Sequence, residues 1–158
     1  MTARALLLVD FQVAFDDPYW GARNNPGAED NAGRLLAHWR AAGAPVFHVR
    51  HLSVEPQSPL NPKAGRTGFH PAVIPHEGEP TYEKSVNSAF TGTTLERDLR
   101  AAGIERLVIC GLTTPHCVST TTRMAANLGF SVDLVHDACA AFSQNADTSW
   151  RDGGKADP

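Results

Sequence analysis

Cys117 stands at the end of Gly111-Leu112-Thr113-Thr114-Pro115-His116-Cys117, where an apolar run gives way to a proline-led helical pattern. A cysteine in the first turn of a helix meets unpaired backbone N–H groups and the positive end of the helix dipole, which favour a thiolate. That position makes Cys117 a candidate nucleophile. Cys110 lies inside an apolar run and Cys139 sits in Ala138-Cys139-Ala140-Ala141, so both fit the commoner role of a buried, inert cysteine. Asp10 closes the run Ala5–Val9, where a carboxylate can simply cap the following turn or serve as a base. Lys84, in Tyr82-Glu83-Lys84-Ser85-Val86-Asn87, reads alone as a solvated surface lysine. The three gain meaning only as a set.

Seven histidines raise the question of a metal. His48 and His51 are three apart on an apparent strand, so their side chains should point to opposite faces and cannot chelate together. His70 and His76 lie in an irregular stretch without paired ligand spacing. No metal site is expected, and activity should survive chelation. Arg50, at a strand end, is expected in a structural ion pair rather than at a substrate carboxylate.

These residues must be positioned by a scaffold. Four apolar runs, Ala5–Val9, Pro45–Val49, Leu107–Cys110 and Phe130–Val135, read as strands buried on both faces, the habit of a parallel sheet. Between them lie helical patterns. Ala28–Ala42 carries Leu35, Leu36 and Trp39 on one stripe, Thr94–Ala102 carries Leu95 and Leu99, and Pro115–Leu128 opens with proline. Each stops at a glycine and a strand follows, which predicts an α/β, doubly wound parallel sheet. In such sheets ligands bind beyond the carboxyl ends of the strands, and Asp10, Arg50-His51, Gly111–Cys117 and His136-Asp137 fall there. The chain reads as one domain over 1–158. Its irregular loop, 53–80, holds six of the 11 prolines and has no helical or strand period, as expected of a lid or an assembly arm. A short polar tail, 143–158, reads as frayed.

Composition removes several classes of function. The 158 residues are 42% hydrophobic and 20% charged, and 14 basic against 17 acidic side chains leave a net charge of −3. No basic run offers a footprint for nucleic acid or an anionic membrane, and no apolar run is long enough to span a bilayer. An odd number of cysteines and no visible secretory signal point to reduced thiols and a cytoplasmic location. Neither GxGxxG nor GxxxxGK[ST] occurs, which disfavours a nucleotide-binding module. A phospho-acceptor receiver would want an acidic cluster where only Asp10 stands.

Three motifs together resemble the isochorismatase-like cysteine hydrolases, among them nicotinamidases and N-carbamoylsarcosine and ureidoacrylate amidohydrolases. They are Leu6-Leu7-Leu8-Val9-Asp10-Phe11-Gln12 with Phe15, Glu83-Lys84-Ser85-Val86-Asn87-Ser88-Ala89-Phe90, and Gly111-Leu112-Thr113-Thr114-Pro115-His116-Cys117-Val118. Arg123, Gly129, Asp137 and Ala138 follow in order, so the resemblance covers about residues 4–142. It implies a sheet ordered 3-2-1-4-5-6, a catalytic triad of Asp10, Lys84 and Cys117, and a cis bond between Leu112 and Thr113. It also places an oxyanion on the backbone N–H groups of Thr113 and Cys117, with Phe15, Trp20, Phe90 and His116 near the substrate. Lys84 should favour the thiolate by opposite charge.

The expected activity is cysteine-dependent hydrolysis of a small amide, ureido or lactam C–N bond through a thioester, with no cofactor. One alternative is vinyl-ether hydrolysis of the isochorismate type, in which relatives lack the cysteine that stands here. Another is an impaired relative used as a binding module. Two departures from the resemblance stand out. Nicotinamidases carry Asp-x-His after the second strand, where this chain reads Val49-Arg50-His51. The family also continues with a further helix and edge strand, so five strands in order 3-2-1-4-5 are expected, with an uncovered face near Phe130–Val135. That face and the irregular loop predict a homo-oligomer, most simply a dimer.

Overall fold

The structure is a computed structural model that describes residues 3–150. Five parallel strands form one sheet in the order β3-β2-β1-β4-β5: β1 is Ala3–Val9, β2 Val46–His51, β3 Thr81–Lys84, β4 Ile104–Leu112 and β5 Ser131–Ala140. Helix α1, Ala28–Ala41, covers one face, and α2, Leu95–Ala101, and α3, Ser119–Asn127, cover the other. The central strand β1 shows why. Alternation sends Leu6 and Leu8 toward Leu36 and Trp39 of α1, and Leu7 and Val9 toward Leu95, Leu99 and Ala125. Burying both sets of side chains locks the register, because a one-residue slip would exchange the two faces. The connections from α1, α2 and α3 turn at Gly43, Gly103 and Gly129, each with a positive φ. No helix among the described residues is long and apolar enough to cross a membrane.

Three elements differ from the sequence expectation. Strand β3 has no apolar run, and only Tyr82 and Lys84 of its four residues face inward. Strand β5 extends past Val135: its pairing with β4 breaks between Ile109 and Gly111 and resumes at Cys139. Pro115–Leu128 is not one uniform helix, since a single wide π turn, Thr114–Val118, precedes α3.

The irregular loop is not featureless either. Prolines start short 3-10 turns at Pro62–Ala64 and Pro71–Val73, capped by the side chains of Asn61 and His70. The beginning of the tail is tied down rather than frayed, for the Ser143 amide donates to the Ala22 carbonyl at 2.7 Å and Phe142 is buried. Residues 151–158 of that tail lie outside the described residues. Of the face expected to be open, Phe130 is buried and Leu134 is 42% exposed.

Candidate active site

Each reactive side chain sits at the carboxyl end of a strand. Asp10 follows β1 with φ of 56°, a left-handed turn that aspartate tolerates better than most residues, and its carboxylate is fully buried. Lys84 is the last residue of β3 and pairs in register with His51, the last residue of β2. Cys117 lies in the wide turn after β4, where the Val118 amide donates to the Thr113 carbonyl at 3.2 Å. The approach to that turn needs Gly111. A Cβ there would stand 2.1 Å from the Val9 carbonyl oxygen, so only glycine lets β4 pass so close to β1. The Leu112–Thr113 bond is cis, as the resemblance implies.

The Lys84 ammonium joins the group. It donates to Asp10 Oδ2 at 2.7 Å, to His51 Nδ1 at 2.9 Å and to Cys117 Sγ at 3.2 Å. An ammonium has three protons, and all three are thereby directed. Asp10 Oδ1 is buried and has no hydrogen-bond partner among the described residues. The structure thus brings Asp10, Lys84 and Cys117 together and adds His51, which the sequence places at a strand end and offers as a metal ligand to be weighed, but gives no catalytic role. Gln12, also unassigned from sequence, fixes His51 from both sides of its peptide unit. Its Oε1 accepts from the His51 amide at 2.7 Å, while Nε2 donates to the His51 and Thr67 carbonyls at 3.0 Å each. Strand parity carried the signal for His51: it shares a face with Val49, as Lys84 does with Tyr82.

Burial adds a contribution that the sequence does not show. Burial pushes the Cys117 thiol up to about 12, with the neighbouring Asp10 charge adding to the rise and Lys84 only partly opposing it. That direction favours the protonated thiol and runs against the helix start and the cation, which favour thiolate. Burial also raises the Asp10 carboxyl, against the pull of Lys84. His51 falls to about 4 through burial and the Lys84 charge, so its ring is a neutral acceptor. One ligand atom each of Asp10, His51 and Cys117 lie within 4.8 Å of one another, a spacing that could hold a metal ion. Here the Lys84 ammonium donates to all three residues, so a metal would have to displace it.

A pocket of about 210 Å³ opens onto Cys117. Phe15, Trp20 and His116 line it, as the resemblance implies, together with Tyr19, His51, Ser53, Glu55, Ser58, Leu60, Asn87, Thr113 and Asn145. Phe90 does not. It stacks on Phe130, with ring centroids 6.1 Å apart, in the core beside α2. Arg50 pairs with Glu83, the structural ion pair expected of it, and His48 faces away from His51 into a separate cluster with Glu79.

The fold agrees with what similar proteins show. The profile described as Isochorismatase domain matches residues 4–152. The uncharacterized isochorismatase family protein YrdC of Bacillus subtilis is 49% identical over 139 residues, 88% of this chain and 74% of that protein. An isochorismatase-family crystal structure from Chromobacterium violaceum is 48% identical with a TM-score of 0.86, covering 94% of this chain and 75% of that one. N-carbamoylsarcosine amidase from Thermoplasma acidophilum is 27% identical with a TM-score of 0.74, covering 94% and 88%. The chain belongs to the isochorismatase family of hydrolases.

Proposed function

We propose that this chain is a cysteine hydrolase that cleaves the C–N bond of a small amide, ureido compound or lactam. One observation carries the reading: a single buried ammonium, that of Lys84, contacts a carboxylate, a neutral imidazole and a thiol on the wall of a pocket. The amidase among its structural relatives supports the class of bond.

The residues divide the work as follows. Asp10 takes the Cys117 proton, using the carboxylate oxygen that has no other partner. The raised affinity of Asp10 for a proton narrows the gap to the thiol, and Lys84 stabilises the thiolate at 3.2 Å. Sulfur attacks the carbonyl carbon, and the oxyanion rests on the backbone N–H groups of Thr113 and Cys117. The C–N bond breaks as Asp10 returns its proton to the departing nitrogen, which leaves a thioester. Water then attacks the acyl carbon, releases the acid and restores the thiol. A screen of small amides with amine release as readout tests the reading. Turnover should vanish in Cys117→Ala, and turnover that persists with an unchanged circular dichroism spectrum refutes it.

A further inference from the structure

The pocket over Cys117 is lopsided in charge. One wall is aromatic, with Trp20 held by a 2.9 Å bond from its indole N–H to the Ala14 carbonyl and flanked by Phe15 and Tyr19. The other comes from the segment after β2 and carries Glu55, the only carboxylate among the lining residues. The Glu55 backbone is pinned: its amide donates to Ser53 Oγ at 3.1 Å, and its carbonyl accepts from the Ser58 amide and Asn61 Nδ2. Its carboxylate has no partner among the described residues. No arginine or lysine lines the pocket; the Lys84 ammonium lies behind its His51 and Cys117 wall and is paired with Asp10, while Arg50 pairs with Glu83 and Arg66 with Asp17.

We propose that the substrate carries a cationic group, an ammonium or a guanidinium, beyond its scissile carbonyl, held between the Glu55 carboxylate and the faces of Trp20 and Tyr19. This rests on the hydrolase reading and narrows it. An aromatic face attracts a cation through its quadrupole, and a free carboxylate supplies the opposite charge. A substrate carboxylate would meet Glu55, and the one ammonium behind the wall, that of Lys84, is already matched by Asp10, so anionic amides are poor candidates.

The probes are three thiol reagents on the whole chain: a methanethiosulfonate bearing trimethylammonium, one bearing sulfonate, and neutral iodoacetamide. Rates at Cys117 are read by mass spectrometry and normalised to a small free thiol. The cationic reagent should outrun the anionic one by about tenfold. Glu55→Gln should cut that ratio at least threefold, while Glu77→Gln, the same charge change near the start of β2, should leave it unchanged. A wild-type ratio near one overturns the proposal, as does a ratio that Glu55→Gln leaves alone or that Glu77→Gln lowers equally. Failure of iodoacetamide to label Cys117 overturns the nucleophile assignment instead.

Discussion

His48 and His51 lie three residues apart on β2, each bonded to a charged neighbour, and they belong to opposite kinds of cluster. His48 Nε2 bonds Glu79 at 2.7 Å, and Glu79 also receives both Arg40 nitrogens, at 2.7 and 2.8 Å, and the His76 amide at 3.0 Å. Every Glu79 oxygen is used. Burial alone would raise its carboxyl, but these donors more than offset that and hold it at about 2. At the other end of the same strand, the Lys84 cluster keeps one carboxylate oxygen unpaired and places a thiol on a pocket wall. The Glu79 carboxylate is saturated, although His48 Nδ1 is buried without a partner among the described residues, and their cluster ties α1, β2 and the end of the irregular loop together. In the Lys84 cluster it is the carboxylate that has an oxygen to spare, the one the proposed mechanism uses to take a proton.

That contrast can be broken from the side of the proposed active site first. Cys117→Ala should reduce turnover at least about a thousandfold, as should Lys84→Met, with thermal stability changed far less than activity. Equal losses of both would make the Lys84 cluster a structural one. Next, Glu79→Gln removes the charge that Arg40 and His48 share, and should cost about 2–3 kcal/mol in urea unfolding. The alkylation rate of Cys117 in the folded protein should stay the same, and a changed rate would show the clusters to be coupled.

A finer test concerns position. His51→Leu deprives the Lys84 ammonium of its third acceptor and should slow turnover about ten- to a hundredfold, with partial recovery in His51→Gln. Wild-type turnover in His51→Leu would remove His51 from the site. Alkylation of Cys117 should keep rising with pH through 9 and 10, because the thiol is held near 12. A plateau below pH 8 would restore the thiolate expected from sequence.

The smallest effect is on acid stability. Both histidines bind protons less readily folded than unfolded, where the value is about 6.5. The unfolded chain therefore takes up protons first, and stability should decline as pH falls from about 6.5 toward 4. His51→Gln should flatten part of that decline in a denaturation series, and an unchanged slope would contradict the neutral ring.

Much of this scaffold is legible from the residues because hydrophobic runs and helix-ending glycines recur in alternation. Strands β1, β2 and β4 and all three helices follow from that pattern, and Cys117 stands out by its place at a strand-to-helix turn. Strand β3 escapes it. Four residues with two facing inward make no run, so Lys84 looks like a surface lysine until pairing with β2 sets it beside His51. The Glu79 cluster escapes for another reason, since its partners are 31 and 39 residues away in the chain and only folding brings them together. The burial that raises the Cys117 thiol is not visible in a sequence, which shows only neighbours along the chain.

The segment that carries Glu55 has one more property. It leaves the scaffold at Ser53 and returns at Leu60, and the Ser53 amide closes it on the Leu60 carbonyl at 2.9 Å. Asp10, Lys84, His51 and Cys117 all lie outside it, while four of its residues face the pocket. One side of the pocket is thus carried on a closed segment, while the aromatic side and the Lys84 cluster belong to the frame. Grafting the corresponding stretch from another member of the family should alter the Glu55 side of the proposed site and leave its aromatic side and the Lys84 cluster in place.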